Sequence, residues 1–66
     1  MQIIFNGSQT EINETDTAAD LKERLGFSNS SVAVWVNGRQ VLYKEYTTLT
    51  FNENDNIKMV RLIGGG

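Results

Sequence analysis

Two Asn-Gly dipeptides, at residues 6–7 and 37–38, constrain the fold of this 66-residue chain more than any other feature. A tight two-residue turn needs positive φ angles, which asparagine and glycine adopt most readily. The residues before each turn are alternating or β-branched apolar residues, which is typical of strands. The pattern therefore predicts two β-hairpins, over residues 2–13 and 32–42.

A short amphipathic helix is predicted between the two hairpins. Thr17 is a suitable N-cap, Asp20 is placed as the acidic partner of a capping box, and Gly26 is a suitable C-terminal stop. Apolar residues at helical spacing would face a core: Ala18, Leu21 and Leu25. A last strand over residues 57–63 completes the order hairpin, helix, hairpin, strand. This order predicts an α+β fold in which a mixed sheet of four to five strands packs on one helix.

Strand alternation divides the apolar residues between the two faces of the sheet. Those of one parity, together with the helix, are predicted to form the core: Ile3, Phe5, Leu21, Leu25, Val34, Val36, Ile57 and Met59. Residues 43–50 have no clear pattern, but one end of the core is expected to be covered by Tyr46, Leu49 and Phe51. The other parity is expected to point away from the helix: Ile4, Ala33, Trp35, Val60 and Leu62. An apolar set of this size predicts a partner-binding face anchored by Trp35, with homodimerisation or a second covering layer as the alternative.

The composition excludes most catalytic chemistry. The chain has no Cys and no His, so it offers no thiol nucleophile, no imidazole base and none of the usual zinc ligand sets. We expect neither catalytic residues nor a bound metal, since no histidine is present to activate a Ser or Thr hydroxyl. The formal net charge of −2 argues against a nucleic-acid partner, because phosphate binding usually needs a basic face.

Acidic side chains are concentrated before and within the predicted helix: Glu11, Glu14, Asp16, Asp20 and Glu23. A solvated helix face with acids near its N-terminal end explains them better than a site for a basic partner. The longest apolar run, residues 32–36, is far too short to span a membrane, and the first residues lack the signals of a secretory leader. We therefore expect a cytoplasmic protein without a membrane partner.

Three consecutive glycines, Gly64, Gly65 and Gly66, follow the predicted last strand. They divide the chain into a folded domain over residues 1–63 and a flexible tail over residues 64–66. Without side chains the tail is thin, reaches roughly 10 Å when extended, and can enter a narrow slot in another protein. It carries the carboxylate of Gly66, whose achiral α-carbon allows acyl activation without racemisation. The composition leaves a second interpretation open, in which the glycines are only a frayed end or a linker.

Several short motifs occur in order along nearly the whole chain: residues 1–6 (MQIIFN), residues 36–38 (VNG), an aromatic at Tyr46, residues 54–57 (NDNI) and residues 62–66 (LIGGG). With these motifs the chain resembles the ThiS family of thiamine-biosynthesis sulfur carriers, which are ubiquitin-like β-grasp proteins. The glycine ending is the most specific part of the resemblance. Asn54 stands where the family often has Gly, and Tyr46 stands where Trp is common.

The resemblance implies a β-grasp fold with the first and last strands adjacent and parallel at the sheet centre. It also implies a carrier rather than an enzyme, which is expected to be a monomer when free. An adenylating, ThiF-like enzyme would use ATP and magnesium to activate the carboxylate of Gly66, and a persulfide from a cysteine desulfurase would convert it to a thiocarboxylate. The carrier would bind no cofactor itself and would deliver the sulfur to a ThiG-like thiazole synthase, with Gly64 and Gly65 as the thread.

Three alternative functions are compatible with the same fold. The first is a carrier of another sulfur pathway, like the small subunit of molybdopterin synthase, although such chains are usually longer and often have Pro in the tail. The second is a β-grasp interaction module in which the glycines have no role. The third is a small RNA-binding domain, which the net charge of −2 disfavours.

Overall fold

The computed structural model describes residues 1–62, and these residues form a five-stranded sheet and one α-helix. In chain order the elements are β1 (Gln2–Phe5), β2 (Ser8–Glu11), α1 (Ala18–Arg24), β3 (Val32–Val36), β4 (Arg39–Val41) and β5 (Asn56–Arg61). A 3-10 turn, Tyr43–Glu45, lies in the segment for which the sequence predicted no structure. Within residues 1–62, no helix is both long enough and apolar enough to cross a membrane.

The first and last strands lie side by side in the middle of the sheet, whose strand order is β2-β1-β5-β3-β4. β1 and β5 are parallel, with Ile4 opposite Asn56 and Phe5 opposite Ile57, and the other neighbouring strands are antiparallel. The predicted α+β class and the β-grasp arrangement of the two end strands are therefore confirmed. Because β5 is central, its pairing with β1 and β3 determines which face of the sheet each of its residues from Asn56 to Arg61 occupies.

Both Asn-Gly dipeptides form the tight turns that the sequence predicts. The φ angles are 48° at Asn6 and 85° at Gly7, and they are 51° at Asn37 and 85° at Gly38. Positive φ at both central residues is the turn geometry that matches the twist of the flanking strands. Asn54 also has a positive φ of 69°, so asparagine supports the backbone at the position where the family often has glycine.

The helix begins and ends at the predicted residues. The Thr17 hydroxyl accepts a hydrogen bond from the backbone N–H of Asp20 at 3.4 Å, and the Asp20 carboxylate accepts one from the backbone N–H of Thr17 at 2.8 Å. This reciprocal pair is a capping box, which satisfies two otherwise unpaired backbone donors. Gly26, with a φ of 92°, follows the C-cap residue Leu25.

The core lies between α1 and the side of the sheet that faces it. Six of the eight predicted core residues are buried: Ile3, Phe5, Leu21, Val34, Ile57 and Met59. The other two, Leu25 and Val36, pack against this core but are only half buried, because each stands at the end of its element. Further buried core residues are Ile12, Ala18, Val41, Tyr46 and Phe51. Tyr46 and Phe51, with Leu49 half buried beside them, confirm the expected cover at one end of the core.

β5 ends at Arg61, whereas alternation predicted a strand that continues to residue 63. Leu62 is outside the strand and 59% exposed, although its backbone N–H donates to the Ser31 carbonyl at 2.8 Å. Within the described residues, no second layer covers the side of the sheet that faces away from α1. Leu62 is therefore exposed although it is apolar. The predicted boundary between residues 63 and 64 lies outside the described residues.

Candidate functional site

The side of the sheet that faces away from α1 forms a surface that we call the open face. On β5 it receives the alternate residues Asn56, Lys58 and Val60, because Ile57 and Met59 point into the core. On β3 it receives Ala33 and Trp35, which stand opposite Val60 and Lys58. The parity predicted from the sequence is therefore correct, while the role of this face in binding a partner stays a prediction.

The five residues predicted for this face do not form one continuous patch. Ala33 and Val60 are paired across β3 and β5. Trp35 is the next residue of β3 on the same face, and Leu62 lies two residues after Val60 in the chain. Ile4 instead stands opposite Asn56, near the start of β5, and is separated from Val60 along the strand by Lys58. The apolar cluster of the open face, defined as Ala33, Trp35, Val60 and Leu62, therefore lies at the end of β5 that leads to the glycines.

The cluster residues differ in how much surface they offer to a partner. Ala33 is 7% exposed and Leu62 is 59% exposed, with Trp35 and Val60 half buried between these limits. Leu42, which sequence analysis did not select, is 55% exposed and lies directly after Val41, the β4 residue that stands opposite Val34. Of these residues, Leu62 and Leu42 therefore have the largest exposed fractions, and Trp35 and Val60 have smaller ones.

Lys58 occupies the middle of the open face, and sequence analysis missed it because only apolar residues were sorted by parity. Lys58 stands two residues before Val60 on the same strand, and strand alternation alone therefore predicts that the two share a face. A groove of about 300 Å³ is lined by Trp35, Gly38, Asn56 and Lys58. Lys58 also contributes to a second groove, of about 370 Å³, at the Asn6-Gly7 turn. The open face thus combines an apolar cluster with one central cation between two grooves.

The acidic residues before and within α1 serve the fold more than the sequence indicated. Asp16 is 7% exposed rather than solvated, and its carboxylate accepts hydrogen bonds from the Asn13 backbone N–H at 2.9 Å and from Arg24 at 2.6 Å. The Asn13 hydrogen bond first, and the Arg24 hydrogen bond and charge second, hold the pKa of Asp16 below its usual value. Asp20 caps the helix, and Glu11 accepts a hydrogen bond from the N-terminal ammonium at 2.6 Å.

The predicted site of covalent modification, Gly66, and the predicted thread, Gly64 and Gly65, lie outside the described residues. No group of acidic side chains that could hold a metal ion occurs within residues 1–62. What the structure describes is the surface at the end of β5, whose last strand residue, Arg61, stands three residues before Gly64 in the sequence. Leu62 stands four residues before Gly66 in the sequence, so the apolar cluster lies close in the chain to the carboxylate.

Comparison with known proteins gives three similarities. The model of the ThiS family matches residues 3–66, a span that includes all three final glycines. The crystal structure of a thiamine biosynthesis protein, ThiS, from Geobacter metallireducens matches with a TM-score of 0.78 and 20% identity over 100% of both chains. That similarity supports the fold.

The third similarity is to a thiazole synthase from Paramagnetospirillum magneticum (strain ATCC 700264 / AMB-1). The two sequences are 30% identical over 66 residues, which is 100% of this chain and 20% of the other protein. The chain therefore spans about a fifth of the length of that relative.

Proposed function

This chain belongs to the ThiS family, and on that premise we propose that it is a sulfur carrier of thiamine biosynthesis that holds sulfur as a thiocarboxylate on Gly66. The observation that carries the proposal is the family match over residues 3–66, which spans the β-grasp body and the glycine ending together. The β-grasp fold, with β5 leading directly toward the glycines, supports the same function.

The proposed chemistry follows from what the chain lacks. A carboxylate is a poor acyl donor until it is activated, and a chain without Cys or His has no group of its own to activate it. A carboxylate oxygen of Gly66 attacks the α-phosphorus of ATP on an adenylating, ThiF-like enzyme, and pyrophosphate leaves. The terminal sulfur of a persulfide, supplied by a cysteine desulfurase, then displaces AMP. A thiol cleaves the resulting acyl disulfide to leave the thiocarboxylate.

The carrier is therefore a substrate in this scheme, and ATP and magnesium are bound by the activating partner. The proposed acceptor of the sulfur is a ThiG-like thiazole synthase. Support comes from the relative named thiazole synthase, which contains a segment 30% identical to this whole chain. Because activation consumes ATP, we assign the reaction to the cytoplasm.

The proposed docking surface for the activating enzyme is the open face. Its apolar cluster stands beside the end of β5, so a partner that covers the cluster binds within four residues of Gly66 in the sequence. Lys58 adds a central positive charge, which fits a carboxylate on the partner surface. Trp35 is the proposed anchor, since tryptophan is enriched among residues that dominate binding energy.

Intact mass spectrometry tests the proposal. The chain is incubated with ATP, magnesium, an adenylating enzyme and a persulfide source, and the expected product is heavier by the exchange of one oxygen for one sulfur. Tandem fragmentation must place the change on Gly66. An unchanged mass, with an adenylating enzyme that charges another carrier in the same experiment, contradicts the proposal.

A second step distinguishes the thiamine pathway from a molybdopterin-type pathway. The charged carrier is offered separately to thiazole synthase and to the large subunit of molybdopterin synthase. Loss of sulfur from the carrier to thiazole synthase alone is the expected result. Transfer to the molybdopterin partner alone would assign the carrier to that pathway instead.

A further inference from the structure

One side chain, Arg61, fastens the C-terminal end of β5 to the segment that follows the helix. Its Nη2 donates a hydrogen bond to the Gly26 carbonyl at 2.8 Å, and its Nε donates one to the Ser30 hydroxyl at 3.2 Å. Its Cζ lies 4.6 Å from the centroid of the Phe27 ring, which is within the range of a cation–π contact. We call residues 26–31 the helix-exit segment.

The helix-exit segment is itself held in place. The Phe27 ring packs edge-on against the buried Phe5 ring, with centroids 6.2 Å apart. The Phe27 backbone N–H donates to the Lys22 carbonyl at 2.9 Å, and the Ser30 N–H donates to the Phe27 carbonyl at 3.0 Å. Arg61 is therefore attached to a segment that is tied both to the helix and to the core.

The backbone continues this attachment for one residue beyond β5. The Leu62 N–H donates to the Ser31 carbonyl at 2.8 Å, so the helix-exit segment holds two consecutive residues of the chain. Residues 63–66 follow, and they end in the carboxylate of Gly66. The end of the described chain is thus held in two ways, by the pairing of Arg61 with Val32 on β3 and by contacts to residues 26–31.

The Arg61 side chain is directed away from the surface proposed for docking. It follows the parity of Ile57 and Met59 and contacts the helix-exit segment, whereas Val60 has the opposite parity and belongs to the open face. A partner that covers the open face therefore does not need to touch Arg61. An effect of Arg61 on the reaction would have to act through the position of the chain that follows it.

We propose that Arg61 is a positioning residue for the activation of Gly66, an inference that rests on the proposed carrier function. By holding the end of β5 against the helix-exit segment, it fixes the backbone five residues before the carboxylate that an activating enzyme must receive. If that end is released, more backbone must be ordered when the carboxylate meets ATP, and the reacting atoms are aligned less often. Trp35, Lys58 and Val60 of the docking surface lie on strands whose backbone pairing does not use the Arg61 side chain. The loss therefore falls mainly on the reaction step, and the effect on binding is small.

The test compares Arg61→Ala with Arg24→Ala as a matched control. Arg24 also uses its guanidinium in an ion pair, with Nη2 at 2.6 Å from Asp16 Oδ2. It lies on α1 and does not contact the helix-exit segment through that group. For each variant the rate of pyrophosphate release by the adenylating enzyme is measured against carrier concentration, and the unfolding midpoint is measured in parallel. We expect Arg61→Ala to lower kcat about tenfold with KM changed less than about twofold. Arg24→Ala is expected to lower the unfolding midpoint while its kcat stays that of the wild type.

Two further variants keep the proposal falsifiable if Arg61→Ala does not fold. Ser30→Ala removes one hydrogen-bond acceptor of Arg61, and Arg61→Lys keeps the charge near Phe27 but loses the paired donors. Each is expected to retain folding and to give a kcat between those of the wild type and Arg61→Ala. Kcat values equal to the wild type, a rise in KM alone, or an equal fall for Arg24→Ala would each overturn the inference. A wild-type chain that is never adenylated contradicts the proposed function itself, and this inference with it.

Discussion

The side-chain amide of Asn6 bonds to the backbone of Met59 on the neighbouring parallel strand. Its Nδ2 donates to the Met59 carbonyl at 2.9 Å, and its Oδ1 accepts from the Met59 N–H at 2.8 Å. β1 has already turned away into its hairpin at this point, so the amide continues the contact between β1 and β5 beyond the last paired residue. Asn37 acts similarly from the other hairpin, where its Oδ1 accepts from the Asn56 N–H at 2.9 Å. Both turns therefore hold the central strand.

Replacing Asn6 by Gly isolates the contribution of that amide, because glycine keeps the positive φ of the turn. We expect the free energy of unfolding to fall by about 1–3 kcal/mol, since two hydrogen bonds to the backbone of a buried residue are lost. Urea denaturation at fixed pH measures the change, with Asn29→Gly on an exposed loop position as the control. A loss no larger than that of the control would show that the turn geometry alone matters at Asn6.

The stability of the fold is expected to fall in acid because of Asp16. Its folded-state pKa is lowered below the ordinary value of 3.8, so the ionised carboxylate stabilises the fold at neutral pH, and that contribution disappears as the pH falls through and below 3.8. Asp16→Asn is expected to be less stable than the wild type at pH 7. Its stability is also expected to fall less steeply between roughly pH 5 and 2, because the variant lacks the carboxylate whose protonation destabilises the wild type in that range. Thermal unfolding across this range is the measurement, and Glu23→Gln, at an exposed helix position, is the control. Parallel pH profiles for the wild type and Asp16→Asn would contradict the assignment.

Reversing the charge at Lys58 is expected to weaken docking without unfolding the protein. Lys58→Glu places a negative charge opposite the proposed carboxylate of the activating enzyme, so KM for the carrier is expected to rise by about fivefold or more. The effect of the variant should shrink as salt is added, because exposed charges are screened. Lys22→Glu on α1, on the other side of the sheet, is the control and should leave KM nearly unchanged. Equal effects at the two positions would mean that only the net charge matters.

A charge at Leu62 is expected to disrupt the apolar cluster selectively. Leu62 is 59% exposed, so Leu62→Asp should change the free energy of unfolding by less than about 0.5 kcal/mol. KM for the activating enzyme is expected to rise, whereas Leu62→Met, which keeps an apolar side chain, should behave like the wild type. A substantial loss of stability in Leu62→Asp, at unchanged KM, would assign Leu62 to the fold instead of the docking surface.

Removing Gly66, or adding one residue after it, is expected to abolish thiocarboxylate formation and to leave the unfolding curve unchanged. The deletion moves the terminal carboxylate back to Gly65, and the addition converts the carboxylate of Gly66 into the carbonyl of a peptide bond. Intact mass after the charging reaction gives the first measurement, and circular dichroism during heating gives the second. Charging of either variant at the wild-type rate would exclude Gly66 as the modified residue.

Local patterns were sufficient to predict much of this fold. Alternation assigned Ile3 and Phe5 to the core and Ile4 to the opposite face, because the two-residue period of a strand does not depend on its neighbours. The capping box of Thr17 and the two Asn-Gly turns were equally local, since each depends on residues within three positions. The parallel pairing of the two end strands came from the family resemblance, because no local pattern distinguishes it from other pairings.

The features that sequence analysis missed depend on distant partners. Asn6 and Met59 are 53 residues apart, so nothing near Asn6 indicated that its amide bonds to both the carbonyl and the N–H of Met59. Asp16 was predicted to be solvated, whereas it is buried and accepts a hydrogen bond from Arg24, eight residues further along the chain. For the candidate site, parity could place Trp35 and Val60 on the open face, but only the register with β1 showed that Ile4 lies apart from them.

The central position of β5 also links folding to protein synthesis. Within residues 1–62, β5 is synthesised after the other strands and the helix, yet it is the strand that joins β1 to β3 in the sheet. A nascent or prematurely terminated chain that ends before residue 56 has two hairpins with no strand between them, and isolated hairpins are marginal in water. Such a chain would stay unfolded and open to proteases, so the pool of folded protein consists of molecules synthesised nearly to the glycines of the proposed carrier chemistry.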